Sequence, residues 1–600
     1  MKRITLSFLL LFVIIFSALA ESVAPPVVVR NREGVLPVSR LADRDIALVT
    51  LGRQRETDFE DICSRYAMIE TEHVSSEKHL TDAMELAEES DLIIVAVGSS
   101  DRWIGKALKK LCAKRPVIAV FFIKEDKIEP LTHGLSPAAV IRAADNSPES
   151  QSLAAQMIFG GRAIESFPKS RLGYASPVDA GFSPDLEKRI DSIVAQSISR
   201  HAFPGCQVVV ARKGDVVIDK AYGTYSFDDK TAVSRNTLFD IASMTKATAT
   251  LAGLMKAYDQ GRFNLRWPAS SYLPRMRDTA LDGITVRDLL FHESGLPASI
   301  NVYSAVIDTA SYSGRLFREK PGDPYTIKLD KGLYANNTAR LRPDLFSAAP
   351  SRRFPNEIAR NIFATDSAAA ILSDLIYSRR PGAKKYLYSD LNFCILKDLE
   401  EAVTGTAHDK WVDTRIFLPL GAHRSTYCPV SNGWEPSDVA PTENDRLLRR
   451  QHLQGYVHDE TAAFLGGVSG NAGFFSTAGD IAKLCQTWLN GGTYGDARIF
   501  SPETVKLFTT TRSDANRGLG FDLAGRVKSF RDTGINPLAY GHTGFTGTCF
   551  WVDPAEEIII VILTNRVNPT RDTPTLHTLP PPQETIRAVY TPPHPSHPNH

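Results

Sequence analysis

Alternation of apolar runs with helix-like stretches most constrains the fold of the first third of this 600-residue chain. The apolar runs lie at residues 46–51, 92–97, 117–123 and 138–143. Short, unbroken runs of this kind fit strands that are buried on both faces of a sheet. The stretches between them, such as residues 77–89 and 102–114, have helical spacing. This alternation predicts a parallel sheet covered by helices, that is, an α/β sandwich domain.

Two motifs border this region. Asn31-Arg-Glu-Gly-Val-Leu-Pro-Val38 precedes the first run, and Ile158-Phe-Gly-Gly-Arg-Ala-Ile-Glu-Ser-Phe-Pro168 closes the region. Both resemble the borders of the C-terminal α/β domain of family 3 glycoside hydrolases, which implies such a domain over residues 30–170. That family places a catalytic barrel with a nucleophilic Asp before this domain, and nothing here matches the barrel. The resemblance therefore implies a structural or binding role.

The first 20 residues predict a cleaved signal peptide. Lys2 and Arg3 precede the apolar run of residues 8–16, and Ala18-Leu19-Ala20 offers the small residues that a signal peptidase reads. The alternative is a membrane anchor, but the run is short for a span, and no later stretch is long enough. We expect an exported protein, periplasmic or secreted, with no stable membrane span after cleavage of residues 1–20.

Charge and cysteine content limit the partners of the chain. It has 69 basic and 68 acidic residues, so it lacks the basic excess expected of a nucleic-acid-binding protein. Its seven cysteines are scattered without a CxxC pair, which argues against a disulfide framework or a cysteine zinc site. The adjacent His458, Asp459 and Glu460 cannot easily converge on one ion if they lie on a strand. We predict no nucleic-acid partner, no cofactor and no metal.

The segment Phe239-Asp-Ile-Ala-Ser-Met-Thr-Lys-Ala-Thr-Ala-Thr250 carries the strongest chemical signal. A helix suited to residues 244–260 would place Ser243 at its N-terminus, where the helix dipole favours negative charge. Lys246, three residues on, would project from the same side, with about 5–6 Å between the Cβ atoms. A serine nucleophile needs a base, and a lysine can serve if its surroundings lower its pKa. For this Ser-x-x-Lys pattern alone, the alternative is a serine that only caps the helix N-terminus, with an exposed lysine beside it.

Two further elements favour catalysis. Tyr386-Leu-Tyr-Ser-Asp-Leu-Asn-Phe393 supplies the phenol of Tyr388 for a proton relay. Tyr540-Gly-His-Thr-Gly-Phe-Thr-Gly-Thr-Cys-Phe-Trp-Val-Asp-Pro554 suits an edge strand beside a cleft, with N–H groups that form an oxyanion hole. In this order, the three elements resemble the serine β-lactamase and penicillin-binding protein family, in particular its class C β-lactamase and esterase branch. The resemblance spans residues 182–566. It implies an α+β domain in which helices flank an antiparallel sheet, with a helical lobe and the site in the cleft between them.

The resemblance also implies roles for the matched residues. Ser243 would attack the substrate carbonyl and become acylated. Lys246 and Tyr388 would share the proton work, first as base and then as acid to the leaving group. The backbone N–H groups of Ser243 and Phe545 would hold the oxyanion.

The positions matched to substrate binding are His542, Thr543, Gly544 and Asp390. His542 stands where many members have Lys, and a histidine is only partly charged near neutral pH. Asp390 stands where β-lactamases usually have Asn, and an ionised Asp cannot donate a hydrogen bond. These departures argue against efficient β-lactam turnover and leave open an esterase or a peptidase for small D-amino-acid peptides. A structural strand histidine and a loop-capping carboxylate are the alternatives.

Taken together, these features predict an exported serine hydrolase that cleaves an ester or amide through an acyl-enzyme. The substrate would be a small molecule, a peptide or a cell-wall component, and a role in cell-wall metabolism is a hypothesis from analogy. The alternatives are a catalytically silent binding module and the remnant of a carbohydrate-active fusion protein. A serine-reactive probe tests the first, and chromogenic sugars test the second. Beyond the second domain, the Pro-rich residues 567–600 predict a disordered tail.

Overall fold

The structure is a computed structural model, and it describes residues 23–52, 55–164, 167–572 and 580–591. The chain divides into two compact units, Met1–Ser170 and Arg171–His600, called here the first and second units. The signal peptide predicted at residues 1–20 lies outside the described residues. Within the described ranges, the structure contains no helix with the length and apolar character needed to cross a bilayer.

The first unit contains one six-stranded sheet covered by helices. Its strands are Val27–Asn31, Ile46–Leu51, Ile69–Val74, Leu92–Val97, Val117–Phe121 and Ala139–Arg142. Its α-helices are Thr57–Tyr66, Leu80–Glu89, Arg102–Lys114, Ile128–Thr132 and Pro148–Phe159. Counted in chain order, the strands lie in the order one, six, five, four, two, three. The central strands are wholly buried, which explains their unbroken apolar sequences.

The prediction of a purely parallel sheet is wrong at one edge. Val27–Asn31 pairs antiparallel with Ala139–Arg142, whereas the other neighbouring pairs are parallel, so the sheet is mixed. An antiparallel edge strand on a parallel sheet is common. The sequence reading also missed Ile69–Val74, because this strand lies at the other edge, where most of its side chains are partly or fully exposed.

A seven-stranded sheet forms the centre of the second unit. In spatial order its strands are Asp522–Leu523, Tyr540–Gly544, Thr548–Asp553, Ile558–Thr564, Gly205–Arg212, Asp215–Gly223 and Gly173–Tyr174. All neighbours are antiparallel except the last pair. The predicted antiparallel sheet is therefore confirmed, and it includes a hairpin of Gly205–Arg212 and Asp215–Gly223. Its turn residues Lys213 and Gly214 both have positive φ, of 51° and 79°, which a tight hairpin turn requires.

Helices cover both faces of this sheet. Alternate residues of Gly205–Arg212 face opposite ways: Val208 and Val210 join the core beneath Leu186–Ser199, whereas Val209 and Ala211 join the larger core that includes Ala478–Leu489. The first core also contains side chains of a helix at Pro580–Tyr590. The prediction of a disordered tail from residue 567 is thus wrong for this helix. Its buried Ile586 and Val589 complete an apolar face that the surrounding prolines obscured.

The remaining elements form the lobe and the connections. The other α-helices are Ala252–Asp259, Val286–Leu290, Tyr303–Val306, Asp366–Tyr377, Asp390–Thr404, His408–Val412, Glu460–Phe464 and Pro502–Thr510. The other strands are Phe239–Asp240, Ile307–Asp308, Phe317–Arg318, Ile327–Asp330, Leu333–Ala335, Arg340–Leu341, Phe346–Ser347, Asn356–Ala359, Ile362–Ala364, Thr426–Tyr427, Asn444–Asp445, Gln451–His452, Phe474–Ser476, Thr493–Tyr494 and Ala497–Arg498. The helical lobe was expected to be all helical, but residues 307–364 carry short antiparallel strands. Turn-forming Gly and Pro residues interrupt this stretch too often for long helices.

Candidate active site

Ser243 lies on a tight turn that joins the strand Phe239–Asp240 to a helix. Ala242 before it has a positive φ of 46°, an uncommon conformation for a residue with a side chain. The buried Asp240 holds this turn, since its carboxylate accepts hydrogen bonds from the N–H groups of Ala242 at 2.8 Å and His458 at 2.7 Å. The helix begins as a 3₁₀ turn at Ala242–Met244 and is π-helical at Lys246–Leu251. Such irregular turns are frequent at functional sites, and here they aim Ser243 outward.

The Lys246 amine lies beside the Ser243 hydroxyl. Its Nζ is 2.9 Å from Ser243 Oγ, 2.9 Å from the carbonyl oxygen of Asn471 and 2.7 Å from Asp390 Oδ1. Burial by itself lowers the pKa of Lys246, but the neighbouring Asp390 carboxylate and Tyr388 phenol outweigh it and raise that pKa above its ordinary value. The sequence argument required surroundings that lower the pKa of Lys246, and the structure provides the reverse.

A buried histidine holds Tyr388 in place. The His292 ring stacks on the Tyr388 ring, with 4.6 Å between centroids. His292 also accepts a hydrogen bond at Nδ1 from the N–H of Ser389 at 3.0 Å, and its carbonyl accepts one from the N–H of Leu387 at 2.8 Å. Burial holds the pKa of His292 well below its ordinary value, so it is a neutral acceptor. The sequence analysis assigned His292 no role.

The strand Tyr540–Gly544 lies against the turn that carries Ser243. Thr548 Oγ1 donates to the carbonyl of Ile241 at 3.0 Å, and Thr546 Oγ1 donates to that of Asp240 at 2.7 Å. A Cβ on Gly544 would lie 2.4 Å from the Ile241 carbonyl oxygen, so the approach requires glycine. The neighbouring Asp522–Leu523 strand pairs only with Tyr540 and Gly541, so the prediction of an edge strand is correct only for residues 542–544.

The two departures from the family pattern have different surroundings. His542 is 1% exposed, and its Nδ1 lies 2.7 Å from the carbonyl of Thr543. Burial, with Arg517 and Lys246 nearby, holds the pKa of His542 well below its ordinary value, so the ring is neutral. Asp390 was expected to bind substrate, but it is not among the residues that line the cavity. It is the first residue of Asp390–Thr404, and its carboxylate contacts Lys246.

An open cavity of about 680 Å³ lies over Ser243. Its lining includes Ser243, Tyr388, His542, Thr543, Gly544 and Phe545. The Phe545 side chain is 47% exposed, and its carbonyl accepts hydrogen bonds from Arg566. Arg526 and Lys528 also line the cavity, where Asp522 is the acidic residue. The excess of cations favours a substrate that carries a negative charge.

Sequence reasoning missed two residues that shape this site. The Arg517 guanidinium is fully buried, ion-pairs with Asp522 and lies 5.9 Å from the centroid of the Tyr388 ring. Asn471, in a glycine-rich stretch, provides the carbonyl that accepts from Lys246. No spacing rule connects either residue to Ser243, because each reaches the site only through the fold. Within the described ranges, no group of three or more His, Cys, Asp or Glu side chains could hold a metal ion.

Comparisons with known proteins bear on this site. A family model described as Beta-lactamase matches residues 190–579. The chain is 31% identical to a putative D-alanyl-D-alanine carboxypeptidase of Escherichia coli strain K12 over 419 residues, which cover 65% of this chain and 85% of that protein. It is 30% identical to the protein of the same description from Salmonella agona strain SL483 over 422 residues, with the same coverage. Among solved structures, the class C beta lactamase from Rhodobacter sphaeroides is 18% identical, covering 67% of this chain and 97% of that one, with a TM-score of 0.44.

Proposed function

Because this chain belongs to the beta-lactamase family and is a serine hydrolase that acts by acyl transfer, we propose that Ser243 is its nucleophile and that it acts on small D-amino-acid peptides or esters. The single observation that carries this proposal is the 2.9 Å contact between Lys246 Nζ and Ser243 Oγ at the base of an open cavity. A hydroxyl becomes a useful nucleophile only when a neighbouring group can manage its proton.

The proposed reaction begins with attack by Ser243 Oγ on the substrate carbonyl carbon. Lys246 and Tyr388 handle the proton that Oγ releases and return it to the leaving group as the acyl-enzyme forms. The N–H groups of Ser243 and Phe545 hold the negative oxygen of the tetrahedral intermediate, which is worth several kcal/mol, of order 3, in comparable sites. Water then hydrolyses the acyl-enzyme by the reverse order of proton transfers.

The charge of the cavity supports an anionic substrate. Arg526 and Lys528 line the cavity, and a peptide that ends in a free carboxylate carries the matching charge. His542 does not supply that charge, because its ring is buried and neutral. The strand residues Thr543 and Gly544 line the same wall, and we propose that they contact the substrate backbone. The bacterial relatives, described as putative D-alanyl-D-alanine carboxypeptidases, support the same substrate class.

We also propose that the enzyme is exported and acts in cell-wall metabolism. The support is the basic start, apolar run and small residues of the first 20 positions. In this proposal, residues 1–20 are removed and residues 182–566 form the hydrolase domain. A cell-wall peptide outside the cytoplasm would supply a D-amino-acid substrate. Fractionation of cells that express the full chain, with an antibody against the protein, tests export directly.

For the first unit, we propose a family 3 glycoside hydrolase-like α/β domain over residues 30–170, with a structural or binding role. Its two border motifs contact each other, since the N–H of Val38 donates to the carbonyl of Ile158 at 2.8 Å. The Asn31 side chain also closes the first motif, accepting from the N–H of Leu36 at 3.1 Å. Chromogenic glycosides test the alternative, and turnover of any of them by the purified protein would overturn a non-catalytic role.

Intact-mass spectrometry with a fluorophosphonate probe tests the nucleophile. We expect one adduct on the mature protein and none on Ser243→Ala. Peptides that end in D-Ala should then be cleaved faster than the same peptides with an amidated C-terminus, because amidation removes the carboxylate. An adduct that persists on Ser243→Ala would reject the assigned nucleophile. Equal rates for the free and amidated peptides would reject the anionic substrate class.

A further inference from the structure

The three hydrogen-bond donors of the Lys246 ammonium are all matched by acceptors. They face Ser243 Oγ, the Asn471 carbonyl and Asp390 Oδ1, at 2.9, 2.9 and 2.7 Å. An ammonium has three donors and no acceptor, so this set of partners suits the charged form. The Lys246 side chain is 0% exposed, so water cannot replace any of these partners. A lysine held in this way donates to Ser243 and has no lone pair with which to accept the serine proton.

Asp390 is the group that can take that proton. Its carboxylate lies within hydrogen-bond distance of Lys246 Nζ, and it is 28% exposed. We propose that Asp390 is the terminal proton acceptor of the acylation step and that Lys246 passes the Ser243 proton to it. This inference deepens the proposed function and rests on it, because it assumes that Ser243 is the nucleophile.

The transfer balances as follows. Asp390 Oδ1 first takes an Nζ–H proton, which leaves Lys246 as a neutral amine, and rotation about the Cε–Nζ bond turns the lone pair of this amine toward Ser243. As the bond from Ser243 Oγ to the acyl carbon forms, the Oγ–H bond breaks and a new Nζ–H bond forms at this lone pair. Lys246 is therefore again an ammonium, and Asp390 becomes a neutral carboxylic acid. When the tetrahedral intermediate collapses, the proton returns through Lys246 to the leaving group, as the bond from that group to the acyl carbon breaks.

The two histidines around the pair do not compete for the proton. Burial holds the pKa values of His292 and His542 well below the ordinary value, and Arg517 and Lys246 lower both further. Both rings lie on the cationic side of the site, where an added proton is disfavoured. Tyr388 also lies beside Lys246, with 5.1 Å from Nζ to its ring centroid, and in the proposed reaction its phenol shares the proton transfers with Lys246.

Two more titratable groups feel the charge of Asp390, namely Asp459 and Cys394. Burial, with the Asp390 charge as the next cause, raises the pKa of Asp459 to about 6. Burial raises the pKa of the Cys394 thiol to about 12, with smaller effects from its neighbours, so it stays neutral. Neither residue is one of the three hydrogen-bond partners of Lys246 Nζ, which are Ser243, Asn471 and Asp390. Asp390 is thus the carboxylate in direct contact with the amine.

Replacement of Asp390 by Asn tests the relay, because Asn keeps the oxygen that faces Lys246 and removes the charge. The readout is the acid limb of kcat/KM against pH. With Asp390 as acceptor, the limb should move upward by about 2 or more pH units in Asp390→Asn, because the acceptor changes from a carboxylate to an amine. If Lys246 is instead the base of the wild-type enzyme, removal of a neighbouring negative charge lowers its pKa, and the limb moves downward.

Asp398→Asn is the matched control. Asp398 is a largely buried carboxylate on the same helix, paired with Tyr377 at 2.8 Å, and its replacement should leave the acid limb in place. An upward shift in Asp390→Asn alone supports the relay, and a downward shift or no shift overturns it. If Asp390→Asn shows no turnover at any pH, Asp390→Glu decides. Turnover with an acid limb near that of the wild type supports the relay, and no rescue overturns it.

The same samples separate this inference from the proposed function. A wild-type protein without turnover and without a probe adduct on Ser243 would remove the proposed nucleophile and the relay together. Suppose instead that the wild type shows turnover and a labelled Ser243, but the acid limb shifts downward in Asp390→Asn. That result would support Ser243 as the nucleophile and reject only the relay to Asp390.

Discussion

Gly544→Ala should separate the strand Tyr540–Gly544 from the turn that carries Ser243 while leaving the fold intact. The new Cβ would lie 2.1 Å from Thr548 Oγ1 and 2.4 Å from the carbonyl oxygen of Ile241. The second of these atoms belongs to the backbone, so it cannot rotate away. To reach ordinary contact distance, the strand must withdraw by about 1 Å. The hydrogen bond from Thr548 Oγ1 to Ile241, 3.0 Å long, is then lost or weakened.

The expected costs follow from that displacement. Overpacking of a well-packed site costs roughly 1–3 kcal/mol of stability, and a lost neutral hydrogen bond about 1 kcal/mol. A misplacement of about 1 Å at a catalytic site can lower the rate by roughly a hundredfold. Because the N–H of Phe545 follows Gly544 directly, it would move away from Ser243 with the strand. We therefore expect a large fall in acylation rate with a modest fall in Tm.

The assay is the second-order rate constant for fluorophosphonate labelling of Ser243, measured beside Tm. Gly479→Ala is the matched control. Gly479 lies in the helix Ala478–Leu489, and a Cβ there would meet no atom within 4 Å. In a helix, Ala is favoured over Gly by about 1 kcal/mol, so this control should be neutral or stabilising. If Gly544→Ala labels at the wild-type rate, the strand does not position the oxyanion donor and the argument fails.

Three further predictions concern residues around the site and its supporting sheet. His292→Phe keeps a ring against Tyr388 but leaves the N–H of Ser389 without its acceptor. The free energy of unfolding should therefore fall by roughly 1–3 kcal/mol, and kcat should fall with unchanged KM. An unchanged kcat would show that His292 does not position Tyr388. Tyr590→Phe removes the 2.7 Å hydrogen bond to Asp553, so the free energy of unfolding measured in urea should fall by about 1.5–3 kcal/mol while kcat stays unchanged. An unchanged urea midpoint would show that this hydrogen bond does not stabilise the terminal helix Pro580–Tyr590. The pKa of buried His542 lies well below its ordinary value, so at acid pH the unfolded chain binds more protons than the folded chain. Tm should therefore fall as the pH drops below about 6.5, and it should fall less steeply in His542→Gln. Equal slopes of Tm against pH in the two proteins would show that this ring takes up a proton in the folded state.

Much of the local structure could be predicted from the sequence. The helix Arg102–Lys114 has the predicted bounds, because it has a clear apolar face at helical spacing. Edge elements such as Ile69–Val74 and the terminal helix Pro580–Tyr590 could not be predicted, because their polar or Pro-rich sequences lack that signal. The order of the strands in both sheets also depends on pairings between distant segments.

At the site, the sequence by itself determined which groups are present and which of them are neighbours on one helix. Ser243 and Lys246 meet because they are three residues apart, and local geometry is enough for that. The tertiary structure alone decided the charge state of these groups. Asp390 and the Asn471 carbonyl, both far along the chain, surround the lysine amine, and burial makes His542 neutral. Proton affinity depends on desolvation and on nearby charges, and only the packed fold brings those charges together.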